Sequence, residues 1–492
     1  MRVGGVVRAL CVAAMVATTA PSAGRADDDA ELQELKATVQ EMSKTIDALK
    51  AKIERLEEKA EQKPEPPAAA AAAPTPEAQQ PAAVAAAPAE PNAEAKSEPE
   101  VASEYRELVL SSQGIGPQAP VDPRLRGFIP VPYTKALLRL NAKPRVDFTY
   151  DTNNPGDDNR FITAKIPVSG NPLQGGGPVF NANGKGSQLI FEMRAPDVLG
   201  SPRFYYQNDF FGSGSGEFNL RVQQLYGQIY NLTVGQTFSP FEDPDVWPDT
   251  VDYEGPNSMI FARFPLVSYR QPLGESWSVT GGVTQADTQV TDYFDEPVEG
   301  TNHAPDFAFN LRWAEAGTGH AQLSTVFRDL GARSLVFGDD QTFGWGLNLG
   351  GGADVGVPWS TGREDLLLGQ LTYGEGIGRY GNDSGFFATD AAFDNQGELV
   401  ALPYFGAFVA YTHRWAPDWR STTTYGYVNV DGRLSQGPDA FRRTQYASAN
   451  LVWQLRERLS VGVEALYGHN TKESGDSGDD VRTQVGVAYS LF

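Results

Sequence analysis

Eight arginines carry the most suggestive chemistry in this chain: Arg145, Arg194, Arg203, Arg221, Arg312, Arg328, Arg414 and Arg420. Each falls in a stretch whose residues alternate polar and apolar, and each lies on the polar side. From Tyr105 onward there are 24 Arg and 5 Lys against 44 acidic residues. The base kept within these stretches is thus the one that can hold a carboxylate through two parallel N–H donors. If the polar faces line a narrow, partly desolvated passage, these arginines would favour small anionic solutes. A second reading stands beside it: the same side chains could pair with Asp147, Glu192 and Asp209 and merely brace a wall.

Catalytic constellations are not apparent. His303, His320, His413 and His469 are widely separated, with no His-Glu-x-x-His. Gly212-Ser-Gly-Ser-Gly216 has Gly where a nucleophile elbow needs Ser. Gly376-Ile-Gly-Arg-Tyr-Gly381 fits a dinucleotide pattern, but at a strand-to-loop passage rather than a strand-to-helix turn. The single Cys11 excludes a disulfide framework and a thiolate metal site. No enzyme, cofactor or resident metal is expected. The acidic segment 242–254 is oxygen-rich enough for a divalent cation, but a solvated loop, or a constriction loop folded inward, is the favoured reading. A net charge of −22 argues against non-specific nucleic-acid binding.

The elements that would position the arginines follow from a period of two between about Pro130 and Phe492. In 405–415, Phe405, Ala407, Val409, Tyr411 and Trp415 share one face, opposite Gly406, Ala410, Thr412 and Arg414. In 459–467, Leu459, Val461, Val463 and Tyr467 oppose Ser460, Gly462 and Glu464. Turn clusters such as Asn153-Asn-Pro-Gly-Asp-Asp, Gly317-Thr-Gly and Gly475-Asp-Ser-Gly-Asp-Asp separate the runs. Short and long connections alternate, and Tyr or Trp recur at the ends of the apolar faces, as at Tyr373, Trp415, Trp453, Tyr467 and Tyr489. The pattern predicts an all-β transmembrane barrel of about 16 antiparallel strands over residues 127–492. Its last strand, from Val481, ends on an aromatic as barrel-assembly signals do, although Phe492 is out of phase with Val485, Val487, Tyr489 and Leu491.

The front of the chain is different in kind, for no Phe, Tyr or Trp precedes Tyr105. Residues 1–26 read as a secretory signal: Arg2 and Arg8, a short apolar core, then Gly24-Arg-Ala26. Cleavage after Ala26 would remove Cys11 and take the net charge to −25. Residues 27–60 read as a periplasmic coiled coil, with Leu32, Val39, Ile46 and Ile53 at a and Leu35, Met42, Leu49 and Leu56 at d. Such a seam leans towards a dimer. Residues 61–104 are an Ala/Pro/Glu linker that cannot bury enough to order itself, and residues 105–126 are a connector.

Four segments resemble the DcaP-like outer-membrane porins: Gly235-Gln-Thr-Phe-Ser-Pro-Phe through Asn257, Leu371-Thr-Tyr-Gly-Glu-Gly-Ile-Gly-Arg-Tyr380, Asp158-Asn-Arg-Phe-Ile-Thr-Ala-Lys-Ile-Pro167 and, more loosely, Trp419–Tyr427. The resemblance implies a 16-stranded barrel, a homotrimer in lipid and lipopolysaccharide, an N-terminal periplasmic coiled coil, and uptake of small anions such as dicarboxylates. Its trimer outranks the dimer-leaning heptads, because barrels packed side by side dictate how many helices can meet. Contact of the coiled coil with the cell wall is a further possible role. A structural envelope tether or adhesin without an open channel is the alternative, and a barrel hydrolase a weaker third.

Overall fold

The computed structural model describes residues 128–491, apart from 197, 214–217, 294–295, 356–364 and 457. The expected signal, coiled coil, linker and connector (1–26, 27–60, 61–104 and 105–126) lie outside the described residues, as does Phe492.

Twenty strands share one antiparallel sheet. One is a two-residue piece, Ile129–Pro130, paired with Leu137 and Leu138; the other nineteen make sixteen staves, three of them interrupted by a bend. Thus β1 comprises Leu137–Lys143 and Arg145–Asp151, divided at Pro144, which has no N–H to donate. β2 comprises Val179–Asn183 and Gln188–Arg194. There follow β3 (Arg203–Asp209), β4 (Arg221–Ile229), β5 (Leu232–Phe238), β6 (Arg263–Leu273) and β7 (Trp277–Thr284). β8 comprises Val298–Thr301 and Asp306–Glu315; then come β9 (Gly319–Ser334), β10 (Gly338–Val355) and β11 (Asp365–Glu375). Last are β12 (Pro403–Ala416), β13 (Trp419–Val430), β14 (Phe441–Arg456), β15 (Leu459–Lys472) and β16 (Ser477–Tyr489). β16 pairs back onto β1, with Arg482 opposite Asp151 and Ala488 opposite Arg145. The ring of sixteen staves therefore has no open edge.

Side-chain alternation decides what each face meets. On β12, Phe405 and Val409 are 38% and 51% exposed, whereas Tyr404, Phe408 and Ala410 on the opposite face are buried. Val463 and Tyr467 on β15, Leu347 and Leu349 on β10, and Phe307 and Phe309 on β8 repeat the outward pattern. A continuous apolar band around a ring cannot be solvated by water at acceptable cost. Aromatic residues gather towards both ends of it. Trp277, Trp415, Trp419 and Trp453 stand near one rim, the last two stacked at 5.2 Å between ring centroids. Tyr150, Tyr373, Tyr425 and Tyr467 stand towards the other.

Connections are short on the tryptophan rim, as at 230–231, 274–276 and 417–418, and longer on the other, where 152–178, 239–262 and 376–402 turn inward. Ile162, Phe241, Ile260, Ile377, Tyr380 and Leu402 from these three segments form the largest apolar cluster with wall residues such as Ala308 and Val428. The core thus lies inside the ring. Two acidic positions expected in a turn, Asp479 and Asp480, instead belong to β16, where the Asp480 carboxylate accepts the Asn153 N–H at 2.9 Å. Pairing with β15, Asp479 opposite His469 and Asp480 opposite Gly468, carries the strand through its turn-like composition.

Candidate pore constriction and anion site

The acidic run 242–254 does not arch into solvent. It belongs to a segment, Ser239 to Ala262, that leaves β5 and crosses the interior of the ring. Its base is closed by Ser239 N–H donating to Ala262 O at 3.0 Å. The wall satisfies its backbone from many sides. Asn348 on β10 donates to Phe241 O at 3.0 Å, Asn450 on β14 to Asp249 O at 2.8 Å, and Gln484 on β16 to Val251 O at 3.2 Å. Buried carbonyls need such partners. At Gly462 the wall approaches so closely that a Cβ would lie 2.5 Å from Val251 Cγ2.

The acids of this segment are held in opposite ways. Burial raises the Asp243 carboxyl, but the His320 hydrogen bond and the Arg312 charge outweigh it and hold the group below its ordinary value. Glu242 has mainly a backbone N–H, that of Ala262 at 2.8 Å, and burial pushes it well up. Burial likewise raises Asp252 to about 6. Asp243, Asp245 and His320 present ligand atoms within 4.8 Å of one another. Arg312 donates to both carboxylates, so a guanidinium already supplies the positive charge that a cation would bring.

A second inward segment lies against the first. Phe261 N–H donates to Tyr380 O at 2.9 Å, and Asp383 N–H to Asn257 O at 3.1 Å. Where these two meet the loop after β1, a cavity of about 160 Å³ opens, lined by Arg160, Arg221, Tyr253, Glu254, Arg379 and Phe386 among others. Arg160 Nη1 lies 3.2 Å from Glu254 Oε2, and its guanidinium sits over the rings of Phe211 and Phe386. Arg221 Nε donates to Asp209 Oδ1 at 2.9 Å while its side chain stays one-third exposed. Arg379 Nη1 donates to the carbonyls of Gln285 and Asp287 at 3.2 and 3.1 Å, with its guanidinium carbon 3.9 Å from the centre of the Phe264 ring. Three guanidiniums face this cavity and Glu254 is the one carboxylate lining it. Such a wall offers an oxyanion charge-assisted donors in a setting drier than water.

Of the eight arginines expected from sequence, Arg221 alone lines the cavity. Arg145 grips Asp147 through Nε and Nη2 at 2.7 and 2.8 Å and donates to Val251 O. Arg194 and Arg203 both bind Glu192. Arg312 holds Asp243 and Asp245, and Arg420 holds Asp249. Arg328 is fully buried between Asp306 and Asp390 at 3.0 and 2.9 Å. Arg414 is exposed near the short-turn rim, its backbone N–H donating to Asp365.

Arg160 and Arg379 were missed because they sit in loops, where no alternation marks a face. Arg160 lies between β1 and β2, and Arg379 in the 3-10 turn Gly378–Tyr380. A signal did exist: both fall inside the segments 158–167 and 371–380 that carry the family resemblance, and Tyr253 and Glu254 fall inside 235–257. Three of the four matched segments thus meet at one cavity.

A family model described as DcaP outer membrane protein matches residues 129–490. The crystal structure of the outer membrane channel DcaP of Acinetobacter baumannii is 20% identical, with a TM-score of 0.63 over 74% of this chain and 99% of that one. The anion-selective porin from Comamonas acidovorans is 11% identical, with a TM-score of 0.46 over 72% of this chain and 100% of that one. No curated protein matches the chain.

Proposed function

The chain belongs to the DcaP outer membrane protein family, and from that membership we propose that it is an outer-membrane porin passing small anionic solutes, dicarboxylates among them, by passive diffusion. In this reading the ring of sixteen staves is a transmembrane barrel, its apolar band meets lipid, and its short turns face the periplasm. Residues 1–26 direct export, 27–60 form a periplasmic coiled coil, and three copies associate. Lipopolysaccharide surrounds the long-loop rim. The protein's part is binding and orientation, with no covalent step.

The observation that carries the proposal is the cavity beside the inward segment, where Arg160, Arg221 and Arg379 face a single lining carboxylate. A carboxylate entering from the long-loop side exchanges water for donors on three guanidiniums. Each of these is ion-paired elsewhere, Arg160 to Asp157 and Glu254, Arg221 to Asp209 and Arg379 to Asp306, with only Glu254 among these carboxylates lining the cavity. Tyr253, Phe261 and Phe386 give the same cavity apolar wall, which suits a solute with a short carbon skeleton between charged ends. The test is the reversal potential of the reconstituted protein across a KCl gradient. Anion selectivity with discrete conductance steps is expected; cation selectivity, or a folded barrel without conductance, overturns the proposal.

A further inference from the structure

Arg263, the first residue of β6, is not among the arginines expected from sequence, and alternation explains why. Pro265, Val267 and Tyr269 are exposed on the outer face, so parity assigns Arg263 to the same side. The strand pair leaves the wall at this level, however. Arg263 stands opposite Phe238, and the next pair, Ser239 and Ala262, closes the base of the inward segment. The side chain therefore lies on rings of the interior. Its guanidinium carbon is 4.3 Å from the centre of the Phe261 ring and 5.7 Å from that of Phe238. Trp247 packs on both rings at 5.1 Å between centroids, within an apolar cluster that includes Val246, Met259 and Phe408. Phe261 also lines the cavity, so Arg263 and the cavity share a ring.

Pairing separates Arg263 from the arginines around it. Arg160, Arg221 and Arg379 each have a carboxylate partner. The half-buried Arg263 guanidinium makes no ion pair and no hydrogen bond with any of the described residues. The ionisable groups whose charge bears on it are Arg221, Tyr253, Glu242 and Asp209. Asp209 is already taken: it accepts from Arg221 at 2.9 Å, from Tyr253 Oη at 3.0 Å and from Gln223. Glu242 accepts the Ala262 N–H on Oε2, while its Oε1 is buried and receives no donor from Arg263. Arg221 is a like charge. An aromatic face attracts a guanidinium without neutralising it and leaves the N–H edges for an acceptor. A partly desolvated cation held this way beside a second one is costly, and a bound anion removes that cost.

We infer that Arg263 is the carboxylate anchor of the constriction, the residue whose N–H edge a passing solute's carboxylate occupies. The ion-paired arginines shape the local field, and Arg263 supplies donors that no protein group has taken. Its planar fork meets a carboxylate through two parallel hydrogen bonds, a match that a spherical halide lacks. The rings of Phe238 and Phe261 hold the guanidinium in place, so less side-chain freedom is lost when an anion binds. Arg263 thus discriminates carboxylates from chloride at a point where the paired guanidiniums attract both. This inference rests on the porin reading and names the residue in it that recognises the carboxylate.

Full-length protein in planar bilayers provides the test, with succinate added against a chloride current at neutral pH. Wild type is expected to be anion-selective and to be blocked by succinate. Arg263→Gln should raise the half-blocking succinate concentration at least about tenfold, the loss of one charge-assisted contact. Arg263→Lys keeps the unit charge and loses the fork. Its reversal potential in a KCl gradient should match wild type, while succinate block weakens by about threefold or more. That split separates an anchor from a charge that only shapes the field, for which lysine would restore block in full. Should Arg263→Gln fail to fold, the lysine variant carries the test. No succinate block in wild type, wild-type block in Arg263→Gln, or full block in Arg263→Lys overturns the anchor and leaves anion selectivity standing. A cation-selective wild type overturns both.

Discussion

Asn257 and Thr444, 187 residues apart in sequence, meet inside the ring with Asn257 Nδ2 donating to Thr444 Oγ1 at 2.9 Å. Neither residue has any exposed surface. Through this contact the inward segment is fastened to β14, on the far wall from β5 where the segment begins.

Removing that fastening has a defined consequence. Thr444→Val keeps the shape of the side chain and leaves the Asn257 amide without its acceptor in a buried site, at a cost of about 1–3 kcal/mol. The thermal midpoint should fall by a few degrees, and single-channel recordings should show more frequent spontaneous closures. Recordings as quiet as wild type would mean that the other bonds hold the segment without this one.

Gly462 tests the segment's position by steric means. An added methyl would lie 2.5 Å from Val251 Cγ2 and 3.3 Å from Val452 Cγ2, and overpacking of this kind costs about 1–3 kcal/mol. Gly462→Ala should therefore displace the segment and change single-channel conductance measurably. Gly437→Ala, where nothing lies within 4 Å of the added carbon but φ is +79°, should destabilise its own turn and leave conductance as it was.

The buried acids predict a pH dependence. Burial raises Asp252 to about 6 and Asp383 to about 7, so the docked segments favour the protonated carboxyls. Docking is then strongest below about pH 4, weakens as pH rises towards 7, and levels off above it. Asp157 and Asp243, held below their ordinary values by basic partners, lose stability only at pH lower than that window. Closures should be more frequent at pH 8 than at pH 5. Asp383→Asn keeps an acceptor for Thr163 and the Ala164 N–H and should flatten the difference; an unaltered pH profile would reject the assignment.

Neutralising the charge at the cavity predicts opposite signs from the two partners of the Arg221–Asp209 pair. Arg221→Gln removes one guanidinium and leaves Asp209 buried against Gln223 and Tyr253. A unit charge in a partly solvated pore is worth roughly 1 kcal/mol, or about fivefold in the anion-to-cation permeability ratio. The reversal potential should move towards cations in Arg221→Gln and towards anions in Asp209→Asn. Shifts of the same sign would show that the pair acts only as a brace.

Much of the architecture was legible along the chain, because a period of two is a local property. The faces of 405–415 and 459–467 are as their alternation indicates, and the long and short connections fall on opposite rims. Two matters were not local. Whether 242–254 points outward or inward depends on whether its buried carbonyls find donors, and those donors, Asn348, Asn450 and Gln484, come from staves roughly one to two hundred residues further on. Which arginines face a cavity depends on register across the ring. Arg194 and Arg203 share Glu192 because β2 and β3 place them opposite one another, and Arg160 and Arg379 meet only because two loops fold towards the same point. Sequence alone determined the alternation and therefore the sheet with its apolar outer face. The closed ring decided which charges neutralise each other and which remain for a ligand, because pairing of buried charges is settled by distances that only tertiary contacts create.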